Sequence, residues 1–162
     1  MGVLAGSLLV VCAWSAQVPV STTMDRIVAV VNNDIITLSD VRSARLLQLV
    51  PSTDTDDTIV RTLVDRRLVL TEMRRFQAPD PARDVLAARV QAWEATVGGA
   101  DPAALATSAG VSLTFVERWL AYDLRRETYL QQRFAALDGD RRAEAIRGWI
   151  DGLRTRADIV YR

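Results

Sequence analysis

The strand-type runs of this chain stand at its two ends, and what lies between them reads as helix. Near the start, "DRIVAVVNNDIITLSDV", Asp25 to Val41, holds a β-branched run at Ile27 to Val31, a polar turn at Asn32 to Asp34 and a return run "IIT". Asn and Asp tolerate positive φ, so this is hairpin chemistry. At the far end "DIVYR" is a third, shorter run. A strand that short needs partners, and the hairpin is the one place to find them. The two ends therefore meet in one sheet. The predicted fold class is mainly α: a small multi-helix core with a minor β-sheet joining an N-terminal hairpin and a C-terminal strand.

Helix signals fill the interval. Ser39 or Asp40 suits the N-cap of a first helix over Val41 to Val50. A second, Thr58 to Phe76, carries apolar residues around most of its axis, which places it at the centre of a small bundle. Its narrow polar face holds Arg61 and Asp65 at i,i+4 spacing. Asp80-Pro81 and Asp101-Pro102 each read as an N-cap followed by proline at the first helical position. The first pair opens a helix that ends at Gly98-Gly99, and the second a short one ending at Gly110. "SLTFVERWLAYDLRRETYLQQRFAAL" predicts a long helix capped by Ser112 or Thr114, with Thr114 and Glu117 able to form a capping box. After the turn Asp138 to Asp140, a last helix runs from Arg141 to Ala157. At 162 residues this is one domain, residues 25–162, behind a leader.

That leader, residues 1–24, has no charged side chain. Its apolar part, Val3 to Trp14, has the length of a signal-peptide core and is short for a bilayer span. Small residues follow, and cleavage near Ala13 or Ser15 fits. The expectation is export to the periplasm, with no integral membrane span in the mature chain. A retained N-terminal anchor is the alternative.

The composition removes whole classes of chemistry. All 20 basic residues are Arg, balanced by 20 acidic ones. Without His or Lys there is no imidazole base and no Schiff-base amine. The single cysteine, Cys12, lies in the leader, so the folded body has no thiol nucleophile, disulfide or cysteine zinc site. No Gly-rich phosphate loop appears. The two signs alternate without a basic stripe, so nucleic-acid binding is not expected. The sequence calls for no cofactor, no metal and no catalytic residue. Paired carboxylates could still serve a hydrolase, but almost all of them sit at caps or alternate with Arg on helix faces.

The long helix is the richest surface. Phe115, Trp119 and Tyr122 lie on one side, and Leu113, Val116, Leu120 and Leu124 on another. Together they cover roughly 200°, about twice the stripe that one-sided packing needs. Either the helix is sandwiched between two neighbours, or its aromatic side lines an apolar groove for a partner. Phe115, Trp119, Tyr122 and Trp93 are the candidate contact residues.

The opening "DRIVAVVNNDIITLSDV" resembles the start of SurA-like periplasmic chaperones. "VRTLVDRRLVLTEM", "LAYDLRRETYLQQ" and the closing "WIDGLRTRADIVYR" continue the likeness in order, over nearly all of Asp25 to Arg162. The resemblance implies a core formed from both ends of the chain, which holds unfolded outer-membrane proteins without ATP. Such proteins usually carry parvulin-type prolyl isomerase domains before the closing helix. Here "ALDGDRR" is too short to hold one, so isomerase activity is not implied. Leu124 also stands where the family pattern leads one to expect a Gly that permits a break, so the long helix is expected to run on. Two functions follow as expectations: a periplasmic holdase for unfolded outer-membrane or secreted proteins, and a non-catalytic adaptor with one dedicated periplasmic partner.

Overall fold

The computed structural model describes residues 25–162. The leader and its cleavage positions lie outside the described residues. Strands β1 (Ile27–Val31) and β2 (Asp34–Thr37) form the hairpin. Helices α1 (Leu38–Leu46), α2 (Asp56–Arg75), α3 (Arg83–Thr96), α4 (Pro102–Ser108), α5 (Leu113–Arg133) and α6 (Gly139–Arg156) follow, and β3 (Ile159–Tyr161) ends the fold. The sheet order is β2-β1-β3, antiparallel throughout. The protein is thus mainly helical, with one small sheet made from both ends of the described chain.

Asn32 makes that closure. Its φ of 53° turns the hairpin, its backbone N–H donates to Asp158 O at 2.7 Å, and its side-chain oxygen accepts from Asp158 N at 3.2 Å. Arg162 N donates to Val28 O at 2.9 Å on the other side of β3. One face of β1 then buries Ala29 and Val31 against α2.

Two cores share the helices. The larger lies under the sheet and surrounds α2, whose Ile59, Val64, Val69 and Met73 are fully buried. At about 1.5–3 kcal/mol for each such side chain, their burial gives α2 a large share of the fold's stability. The smaller core gathers Leu47, Trp93, Val97, Ala106, Val116 and Leu120 from the end of α1, from α3 and α4, and from the first half of α5. Trp119 packs against both. Among the described residues no helix is long and apolar enough to cross a membrane.

Several local expectations need correction. The cap of α1 is Thr37, with Asp40 as its reciprocal partner at the third helical position, so the helix starts earlier than Ser39 or Asp40 would have it. It also stops at Leu46, because Gln48 turns left-handed at φ 52° and Leu49 N bonds back to Ala44 O at 2.9 Å. The Asp80-Pro81 pair does not cap α3, which starts at Arg83 behind Ala82 with no side-chain cap. The Asp80 carboxylate pairs with Arg125 instead. Asp65 instead accepts from Nε and Nη2 of Arg154 in α6, at 2.7 and 2.5 Å. α5 takes Ser112, one of its two expected caps, and Thr114 lies within its first turn. As expected it runs unbroken through Leu124, but it ends at Arg133, short of Leu137.

Candidate functional site

α2 presents Leu63, Arg66, Arg67 and Leu70, spaced i, i+3, i+4 and i+7, which is one helix face. α5 presents Phe115, Arg118, Trp119 and Tyr122 at the same spacing, with Arg125 one turn further. The two faces border a groove of about 500 Å³. Ile36 of β2 and Asp40 of α1 also line it, as does Asp80 from the α2–α3 connection. Three of the four aromatic candidates are therefore brought together. Phe115 and Trp119 are half-buried, Tyr122 is buried in the larger core at the groove's base, and the rings of Phe115 and Trp119 lie 6.0 Å apart.

Trp93 is not brought there. It is buried in the smaller core, where its indole N–H donates to Leu47 O at 2.8 Å. That bond ties α3 to the end of α1, as Ser43 ties α1 to α4 through Ala109 O at 2.7 Å. Trp93 thus packs in the core rather than lining the groove.

The groove wall is organised by a residue that the sequence reading passed over. The Arg66 guanidinium lies 3.7 Å from the Trp119 ring centroid and 3.8 Å from that of Tyr122. It forms an ion pair with Asp123 and donates to Trp119 O at 2.8 Å. The Tyr122 hydroxyl returns a bond to Arg66 O at 2.8 Å. Burial pushes the Arg66 guanidinium down and Asp123 up, each against the opposing pull of its partner. Burial also lifts the Tyr122 hydroxyl to about 12. Both shifts favour the neutral forms, so desolvation outweighs attraction in this pair, and the clamp fixes geometry more than it adds stability. One signal could have found it: Arg66 follows Leu63 at i+3, inside the apolar arc of α2 where a solvated Arg does not belong.

At the other end, Arg125 pairs with Asp80 at 3.3 Å and donates to Ala78 O at 2.7 Å, while its Nε is buried without a partner among the described residues. Arg67 and Arg118 have no ion pair or side-chain hydrogen bond among the described residues.

A second cleft, between the sheet, α1 and α2, contains Asp56 and Asp57. These are consecutive, exposed residues of one helix turn, and Asp56 pairs with Arg45 at 2.6 Å. In the groove, Asp40 belongs to the α1 cap and Asp80 to Arg125. Neither cleft sets two uncommitted carboxylates across a gap, which is the geometry acid–base hydrolysis uses.

Compared with models of known protein families and with curated proteins, the chain gives no match.

Proposed function

We propose that the protein is an ATP-independent holdase, which covers apolar and aromatic segments of unfolded outer-membrane or secreted proteins in the α2–α5 groove. The observation that carries this reading is the convergence of Phe115, Trp119 and Tyr122 on one open groove of about 500 Å³. The sequence resemblance to SurA-like chaperones supports it, as does the leader read as an export signal, and the action proposed is periplasmic. No bond is made or broken, so a body without His, Lys or Cys is no handicap. No prolyl isomerase activity is proposed.

Magnitudes set what the groove has to do. A micromolar complex needs about 8 kcal/mol. A fully buried large apolar side chain supplies about 1.5–3 kcal/mol, before the cost of ordering the client is subtracted. Several client side chains must therefore be held at once.

The test is fluorescence anisotropy of a labelled, urea-diluted outer-membrane porin, beside an unfolded cytosolic protein poor in aromatics. Micromolar binding that prefers the porin is expected, and Trp119→Ala should weaken it about tenfold by removing one apolar anchor. Binding to neither client would sink the holdase reading.

The preset Arg66 clamp favours a second reading, since a rigid wall suits one shape better than many. A non-catalytic adaptor with one dedicated periplasmic partner would co-purify with it at fixed stoichiometry and ignore the porin.

A further inference from the structure

The charges around the groove are not balanced as they are over the whole chain. Arg66, Arg67, Arg118 and Arg125 line it against Asp40 and Asp80, whereas the chain carries zero net charge. Sorting these groups by what they already hold leaves an excess of one sign. Arg66 is taken by Asp123, and Arg125 by Asp80. Asp40 accepts from Thr37 N at 2.9 Å and from the Thr37 hydroxyl at 3.2 Å through one carboxylate oxygen in the α1 cap, and its charge offsets only one of the remaining arginines. What remains is Arg67 on α2, half-buried, and Arg118 on α5, exposed. Neither has an acidic partner among the described residues. The Arg125 Nε is buried, with no acceptor among the described residues.

Two guanidiniums on opposite walls, around an aromatic floor, define a partner by its chemistry. We propose that the groove selects extended polypeptide segments in which a large apolar side chain is flanked within a few residues by Asp or Glu side chains. The apolar side chain takes the floor of Trp119, Tyr122, Leu63 and Leu70. The flanking carboxylates take Arg67 and Arg118, in the planar two-point geometry that Arg favours. Residues 1–24 of this chain have no carboxylate side chain, so they do not meet the requirement. Apolar burial supplies the affinity, and the charges supply the choice of segment. The inference rests on the holdase reading and adds a charge preference to it.

The experiment uses three labelled peptides with acetylated and amidated ends, so that side chains are their only charges. All share a central Phe and Leu, flanked by Asp, by Ser or by Arg. Anisotropy titrations with the whole protein should show the Asp-flanked peptide binding about tenfold more tightly than the Arg-flanked one at low ionic strength, with the gap narrowing as salt rises. In the double variant Arg67→Gln/Arg118→Gln the gap should close, while Arg141→Gln, on the exposed face of α6, should keep it. Equal binding of the three peptides would overturn the charge preference and leave the holdase reading standing. A gap that persists in the double variant would overturn the assignment to Arg67 and Arg118. Binding of none of them would remove the holdase reading and this inference together.

Discussion

Two arginines of this protein sit among aromatic rings, and they behave differently. Arg66 is wedged against Trp119 and Tyr122 at 3.7 and 3.8 Å, with a carboxylate and a backbone carbonyl taking its N–H groups. Arg133 lies 5.0 Å from the Trp149 centroid and about 6 Å from those of Phe76, Tyr129 and Phe134. It is exposed, and its one side-chain bond among the described residues is to the Tyr129 hydroxyl at 3.2 Å. The loose cluster is partly built from sequence neighbours, Tyr129, Arg133 and Phe134. In the tight one, α2 and α5 bring together residues more than fifty positions apart. Proximity along the chain makes an arginine and a ring neighbours. A guanidinium is held rigidly only when its donors are satisfied as well, and that takes tertiary structure.

The comparison breaks most sharply on deletion. Arg66→Ala strands the Asp123 carboxylate in a partly dry site and should cost about 3 kcal/mol in urea denaturation. Arg133→Ala, at an exposed site, should cost about 0.5 kcal/mol. Equal losses would mean the two clusters are equivalent after all. Because desolvation outweighs attraction in the Arg66–Asp123 pair, Arg66→Met/Asp123→Leu should recover most of what Arg66→Ala loses.

A titration sharpens the contrast next. The folded pKa of Tyr122, about 12, lies above the unfolded value near 10. Its stabilising contribution is therefore full below about pH 10 and is lost as pH rises toward 12. The loss is about 2–3 kcal/mol, since the unfolded chain releases the proton first. Alkaline denaturation of Tyr122→Phe should lack this component. If that variant and the parent fall off together, the Tyr122 hydroxyl is not held as described.

The smaller effects come last. At neutral pH Tyr122→Phe should cost about 1 kcal/mol for the lost bond to Arg66 O. Phe76→Ala, at a ring 61% exposed, should cost less than about 1 kcal/mol. A larger loss there would show that the Arg133 cluster packs more firmly than its distances imply.

Much of this architecture was legible in the residues. The β-branched runs at both ends have no partners but each other, so the sheet was readable. The apolar surround of α2 placed it at the centre, and Asp101-Pro102 opened α4 as its chemistry requires. Helical spacing puts Phe115, Trp119 and Tyr122 on one side of α5, but the residues left open whether that side meets a neighbouring helix or a groove. The misses were choices among near-equal local options. Thr37, Ser39 and Asp40 can each cap a helix, and Asp80 and Asp65 could each have served a local role. In every case a distant Arg or a reciprocal bond decided.

The periodicity, the turn residues and the composition thus determined by themselves a helical body, a sheet closed by both ends and a lack of imidazole, amine and thiol chemistry in that body. These follow from backbone preference and side-chain identity, which act over a few residues. Only the tertiary structure decided that Trp93 enters the core, that Arg66 organises the groove, and that Arg67 and Arg118 have no acidic partner among the described residues. Burial and charge pairing depend on which helices pack together, and spacing along the chain does not contain that.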